Sequence, residues 1–314
     1  MYPYFYLFGI PIPAYGTFTA IGVAASIALF IWAERREGLR RYTVNRMIFA
    51  MIIGLIVMWI SAFLFNSLFH SIELGEIRFG GITWLGGVIG CFIFMIIAFH
   101  VFVPEAKGNA FKYFSLMIPG MVLGHAFGRV GCFFAGCCFG RPTTSFLGVV
   151  FPEGSIAANT YGYGTPVLPT QLFEAVFELA LFVVMISTFK KTRYFECEIY
   201  MIAYGAFRFI LEFFRGDDRG STGFFLTPAQ FFCVLMAVFG VFTILTRKGI
   251  AFKKIHAKLL LWQNQAIEQM EIVDKQVEDS KAMESIGKLY ELKQKGIISE
   301  TEYEERKKKL LEKI

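Results

Sequence analysis

An arginine in an apolar run of membrane length must face a polar interior or grip an anion, because leaving it against lipid costs about 3 to more than 10 kcal/mol. This sequence has two such arginines. Arg129 lies in the run that starts near Phe111 and passes through His125, Gly128, Arg129 and Gly131 to Cys132; Arg208 lies in a second apolar run with Tyr204, Glu212 and Arg215. These last four residues are spaced by four, four and three, so on a helix they make one polar stripe. A third run carries Gln171, Glu174 and Glu178 on one helical face, turning two carboxyl groups into the interior, where they require cationic partners. Guanidinium groups bind phosphate through paired donors, so two arginines flanked by tyrosine and carboxylates suit a phosphate headgroup. The same residues also suit a purely structural ion-pair network.

Thiols are the second chemical signal. Cys91, Cys132, Cys197 and Cys233 fall within predicted spans, and Cys137 and Cys138 lie at the outer end of the fourth. The spacing is not the paired CxxC of a zinc ribbon, so no metal is expected, and the density is not that of a disulfide-stapled domain. Buried free thiols are the default for the membrane cysteines. Cys132, Cys137 and Cys138 stand beside a cationic group, which lowers a thiol's pKa, and are candidate reactive thiols able to carry a lipid covalently or to form a disulfide.

The elements that must position these groups are membrane helices. With 55% hydrophobic, 17% aromatic and 18% charged residues over 314, the chain is too apolar for a soluble domain. Apolar runs near 14–33, 47–69, 81–103, 111–135, 170–189, 197–214 and 226–246 predict an all-α, polytopic membrane protein with about seven transmembrane helices. Basic residues at 35–46, 107–112, 190–193 and 247–254 mark alternate connections as cytoplasmic, which puts the N-terminus outside and the C-terminus inside. The net charge of +6 is explained by these loops and calls for no nucleic-acid partner. Residues 1–16, aromatic and proline-rich, read as an outer interfacial segment, and the first nine, without charge or a cleavage-site pattern, argue against a removable signal.

Glycine patterning adds detail. Gly120, Gly124 and Gly128 make a bare stripe for close helix approach. The third run opens with Gly80, Gly81, Gly86, Gly87 and Gly90, which fits either irregular backbone at membrane depth or a packing face of Gly86 and Gly90. Residues 141–168 form a polar outer loop long enough to cover a site.

Beyond the membrane domain, 1–249, the composition becomes mixed. Residues 250–282 predict an amphipathic cytoplasmic helix that pairs as a coiled coil or lies on the bilayer, and 283–314 predict a helical hairpin capped by Gly296 and Ser299. The hairpin is too small to fold alone, so docking or self-association is expected. Its sequence, GKLYELKQKGIISETEYEERKKKLLEKI, resembles the SHOCT family, which implies an assembly role.

Five segments in order resemble the prolipoprotein diacylglyceryl transferase family. They are Ala14-Tyr15-Gly16; the Gly80 to Gly90 element; Gly128-Arg129-Val-Gly131 with Gly136 and Gly140; Pro169-Thr-Gln171-Leu-Phe-Glu174; and Tyr204-Gly-Ala-Phe-Arg208 with Glu212-Phe-Phe-Arg215. The resemblance implies a bacterial inner-membrane enzyme that moves a diacylglyceryl group from phosphatidylglycerol to a prelipoprotein's lipobox cysteine, with no cofactor and no metal. It implies that Arg129 and Arg208 hold phosphate and that Tyr15 and Tyr204 orient it. Gln171, Glu174 and Glu212 position the arginines, and Gly86, Gly87, Gly131, Gly136, Gly140 and Arg215 complete the substrate site. This chain departs from the family at Leu85, where others have histidine, and at Cys132, Ala135 and Cys137, where others have asparagine, asparagine and glutamate. His125, one turn before Arg129, becomes the candidate base. A family member using its own cysteines on another acceptor and a non-catalytic lipid-binding scaffold remain the alternatives.

Overall fold

The computed structural model describes residues 4–74, 84–189, 191–192, 194–216, 225–250 and 252–311. Each of the seven predicted apolar runs coincides with a helix: α1 Ala14–Glu37, α2 Arg41–Leu74, α3 Trp84–Phe102, α4 Ala110–Ala135, and then α6 Thr170–Thr188, α7 Glu196–Glu212 and α8 Pro228–Arg247. Five of them, α1, α2, α4, α6 and α8, are long and apolar enough to cross a membrane unaided. Over its described residues α3 is apolar but shorter, and α7 carries Glu196, Glu198, Arg208 and Glu212 along its 17 residues. Such a helix enters a bilayer only with its charged stripe turned inward.

Short strands supplement the helices. β1 Tyr4–Leu7 and β2 Ile10–Pro13 form an antiparallel hairpin where the sequence suggested an interfacial segment. Phe8 and Gly9 at its tip both have positive φ, 51° and 81°, the turn whose twist matches a hairpin. The outer loop contains β3 Val149–Val150 paired with β4 Pro166–Val167 around the short helix α5 Ile156–Tyr161. Phe139, Phe151, Ala157 and Val167 give this loop a small apolar core of its own.

The chain divides into two compact units, Met1–Asn45 with Ala110–His256, and Arg46–Asn109 with Ala257–Ile314. In the first, the usual burial pattern is inverted. Ile21, Val23 and Ile27 of α1, Val176 and Val183 of α6, and Val234 and Val238 of α8 are exposed, as lipid-facing side chains are, whereas Gln171, Glu174 and Glu178 of α6 are fully buried. Glycine sets how closely the helices approach. Ser26 of α1 donates its hydroxyl to Gly120 O of α4 at 2.7 Å, and a Cβ at Gly120 would lie 2.8 Å from Ser26 O. Gly22 and Gly124 meet in the same way, but nothing lies within 4 Å of a Cβ at Gly128. Two residues of the predicted stripe therefore pack against α1, and the third does not.

In the second unit, α3 is regular from Trp84, and a Cβ at Gly86 or Gly90 would overlap Phe65 or Ser61 of α2, while one at Gly87 would come within 2.9 Å of Met58 O. The packing face is thus the role that the structure gives Gly86 and Gly90. Gly80 and Gly81 lie outside the described residues, as does the side chain of Leu85. Helix α9 Lys253–Gln294 runs unbroken through the boundary expected near 283, with Gly108 of the α3–α4 connection against Leu259 and Gln263. Gly296 has φ 68°, Ile297 N bonds to Leu292 O, and Ser299 Oγ accepts from Glu302 N to start α10 Glu300–Leu311. The cap signals in the sequence place the turn of this hairpin, between α9 and α10.

Replacing Gly120 by valine should separate α1 from α4 and lower stability by about 1–3 kcal/mol, whereas Gly128→Ala should leave it unchanged or slightly raised. Thermal unfolding of the detergent-solubilised protein measures both, and equal melting temperatures for the two variants would contradict this packing.

Candidate functional site

A buried carboxylate joins three helices. Glu174 sits one turn into α6, where Pro169 precedes the first helical residue, and it is fully buried. Its Oε1 lies 2.9 Å from Arg129 Nη2 on α4, 4.0 Å from Arg208 Nε on α7, and accepts the Tyr204 hydroxyl at 2.7 Å. One oxygen therefore gathers both arginines and the tyrosine picked out by the sequence. Arg208 is held from its other side by Glu212, whose Oε2 is 2.5 Å from Arg208 Nη1, and Glu212 Oε1 accepts the Thr227 hydroxyl at 3.1 Å. Thr227 also caps α8 through a capping box with Gln230, which fixes its rotamer.

His125 is bound into the same network. Its Nδ1 lies 2.8 Å from Glu178 Oε1, and Arg129 Nε donates to its Nε2 at 3.3 Å. In this arrangement Nδ1 faces Glu178 and Nε2 faces the Arg129 N–H. Tyr200 stacks on Tyr204, with ring centroids 5.1 Å apart, and its hydroxyl is 3.5 Å from His125 Nδ1. Tyr200 and Thr227 escaped the sequence reading. Tyr200 extends the Tyr204–Arg208 stripe by one turn, and Thr227-Pro-Ala-Gln230 is a legible capping signature, but neither says what the side chain will touch.

Accessibility separates the groups. The Arg129 and His125 side chains retain 15% and 22% exposure, Arg208 retains 7%, and Glu174 and Glu178 none. A ligand entering this cluster therefore meets Arg129 and His125 first, with the carboxylates behind them. Among the described residues Arg129 uses Nη2 and Nε on its protein partners.

The end of α4 builds a second feature. Gly136, with φ 71°, closes the helix: Gly136 N bonds to Phe133 O and Cys137 N to Cys132 O, the paired pattern of a left-handed cap. Closure brings Cys137 back over Cys132, and Cys138, itself at φ 63°, turns its thiol toward both. The three Sγ atoms lie within 4.8 Å of one another. Helix α6 locks the turn from outside, Gln171 Nε2 donating to Cys137 O at 2.7 Å and Thr170 Oγ1 to Cys138 O at 2.9 Å. Cys138 is held well below the ordinary thiol range by hydrogen bonds from the Cys132 and Cys137 thiols, and Arg215 and Arg129 add a favourable field.

Of the other expected site residues, Tyr15, Gly131, Gly140 and Arg215 belong to the same unit as this core. Tyr15, at the start of α1, packs on Gly131, where a Cβ would lie 3.2 Å from Tyr15 Cδ2. Gly140 is squeezed between Leu168 O and Phe214 O, and it bridges to Arg215, whose carbonyl accepts from Arg141 Nε at 3.2 Å. Arg215 is buried. Gly86 and Gly87 belong to the second unit, where they pack on α2.

Comparison with known proteins gives a family. The profile described as prolipoprotein diacylglyceryl transferase matches residues 3–246, and one described as a short C-terminal domain, SHOCT, matches 284–311. The chain is 31% identical over 247 residues to phosphatidylglycerol–prolipoprotein diacylglyceryl transferase 2 of Clostridium perfringens, covering 75% of this chain and 91% of that one. It is 31% identical over 245 residues to the phosphatidylglycerol–prolipoprotein diacylglyceryl transferase of Clostridium tetani, covering 76% and 94%. The transferase of that name from Chlorobaculum tepidum is 35% identical over 175 residues, 53% of this chain and 57% of the relative.

Removing the carboxylate should leave two guanidinium groups facing each other in a water-poor interior. Glu174→Ala is expected to destabilise the protein by about 3–5 kcal/mol, and Glu174→Gln by less, because the amide still accepts from Tyr204. Unfolding in mild detergent checks this, and a wild-type melting temperature for Glu174→Ala would show that the arginines are not held by this residue.

Proposed function

This chain belongs to the prolipoprotein diacylglyceryl transferase family, and from that premise we propose that it moves the diacylglyceryl group of phosphatidylglycerol to the lipobox cysteine of a prelipoprotein. It is a membrane enzyme of this transferase class. The observation that carries the substrate reading is the single Glu174 oxygen that holds Arg129 and Arg208 from neighbouring helices, with Arg129 still partly accessible.

The reaction is attack by the acceptor's thiolate on the glycerol carbon that bears the phosphate ester. Carbon–sulfur bond formation expels glycerol phosphate, and the barrier falls as far as cations neutralise charge on the departing phosphate. Arg129 and Arg208 take that role, and their guanidinium forks suit paired phosphate oxygens. Glu174 and Glu212 keep the arginines apart and aimed, Tyr204 anchors Glu174, and Gln171 ties this array to the turn after α4. We place Tyr15, Gly131, Gly136, Gly140 and Arg215 around the headgroup, with Tyr15 half-exposed at the mouth. We keep Gly86 and Gly87 as substrate-site candidates through their place in the family motif alone.

His125 is the candidate base, but its Nε2 lone pair is engaged by Arg129 Nε. It accepts a proton only when that bond opens, so the geometry supports it first as the group that aims Arg129. Thiol activation then needs a further source.

We assign the bacterial inner membrane, with the N-terminus outside and the C-terminus cytoplasmic, from the distribution of lysine and arginine between the helices. This puts Arg129 and Arg208 in the outer half of the bilayer. The C-terminal hairpin, with the end of α9, is assigned to assembly or self-association and takes no part in the chemistry.

Purified protein mixed with phosphatidylglycerol vesicles and a lipobox peptide should yield a diacylglyceryl thioether, and Arg129→Lys or Arg208→Lys should lower the rate by about 100-fold or more. Truncation after residue 283 should leave the rate within about twofold, as expected of a separate assembly module. A folded wild-type protein that transfers nothing, or lysine variants with full activity, would remove this reading in favour of a structural ion-pair network.

A further inference from the structure

Three thiols that converge in a pinned turn are an arrangement the phosphate site does not use. Cys132, Cys137 and Cys138 are all partly buried, and their Sγ atoms are mutually within 4.8 Å. Thiolates bound to one tetrahedral zinc at about 2.3 Å stand about 3.8 Å apart, a spacing near that of these three sulfurs. The backbone is set beforehand by the glycine cap at 136 and the two hydrogen bonds from α6, which lowers the ordering cost of binding.

Charge supports the same occupant. Three thiolates around a divalent ion leave one net negative charge in a medium that disfavours it. Arg129 lies one helical turn before Cys132 on α4, and Gly140, two residues after Cys138, bridges to Arg215. These two cations complement the negative charge of a metal–thiolate group at the turn. Sulfur ligands select zinc-class or softer ions over magnesium and calcium. Among the described residues no fourth cysteine, histidine or carboxylate joins the group. A protein site with three ligands leaves one tetrahedral position for a ligand from outside the chain.

We propose that Cys132, Cys137 and Cys138 bind a zinc-class divalent ion and that its remaining coordination position receives the acceptor thiol. The second half rests on the transferase reading, and the first does not. Coordination takes the proton off the incoming thiol, which leaves to solvent. The bound sulfur then attacks the glycerol carbon, the carbon–sulfur bond forms as the carbon–oxygen bond breaks, and the electron pair departs on the phosphate oxygen toward Arg129 and Arg208. The product thioether is neutral and binds the ion weakly, so it leaves. This supplies the activation that His125, engaged by Arg129, is poorly placed to give.

Elemental analysis of the full-length protein purified without chelator should find one zinc per chain. Cobalt substituted for it should give thiolate-to-metal charge-transfer absorption with the intense visible bands of a tetrahedral site. Cys132→Ser and Cys138→Ser should each weaken cobalt binding by at least about tenfold while the protein stays folded by gel filtration and thermal melting. Adding the lipobox peptide, but not its cysteine-to-serine version, should shift the cobalt bands without any lipid present. Full transferase activity with no bound metal would overturn the site and leave the transferase reading standing, as would a disulfide among these residues in freshly isolated protein. Metal bound at the three cysteines without transfer would keep the site and overturn only the transferase reading. Cobalt bands that ignore the peptide would overturn the role of the remaining position.

Discussion

The interior of the first unit depends on one buried carboxylate attracting two guanidinium groups. An arginine at membrane depth is tolerated only if a partner offsets most of its desolvation, and an ion pair repays that cost only with good geometry. Glu174 supplies the geometry at a single oxygen, which lies 2.9 Å from Arg129 on α4 and 4.0 Å from Arg208 on α7 and accepts the Tyr204 hydroxyl. Everything else near the site serves that arrangement: Glu212 and Thr227 steady Arg208, and His125 with Glu178 steadies Arg129. The charges are interdependent, and the loss of any one exposes the rest to an apolar surround.

This polar interior is possible because the outside is so apolar. Lipid gives helices no hydrophobic reason to associate, so close packing and interhelical hydrogen bonds must hold them together. The contact between α1 and α4 works in this way, with glycines at 22, 120 and 124 admitting the backbones and Ser26 bonding across. Helix α7 sits at the other extreme. Its charged stripe makes it a poor membrane span by itself, and it is accommodated because α6 presents Glu174 to Arg208 and α8 presents Arg247 to Glu198.

The turn after α4 is fastened to the same scaffold. A glycine-capped helix end folds Cys137 back on Cys132, and α6 fastens it through Thr170 and Gln171, the latter one turn before Glu174. The same short helix start therefore sets both the thiol cluster and the arginine pair. Their proximity follows from sharing one support.

Much of this was legible in the residues. Hydrophobic run lengths placed the seven apolar helices, the spacing of Tyr204, Arg208 and Glu212 gave the polar face of α7, the triplet Gln171, Glu174 and Glu178 gave that of α6, and Gly296 and Ser299 gave the turn of the carboxy-terminal hairpin. Those are local properties, set by periodicity, transfer free energy and capping. What only the tertiary structure decided is which face meets which: that His125 points its lone pair at Arg129, that Gly128 is bare of neighbours while Gly120 and Gly124 are not, and that three cysteines share one turn. Contacts between helices depend on the rotation and depth of each about its axis, and those are fixed by the sum of many long-range packing terms that no single stretch of sequence contains.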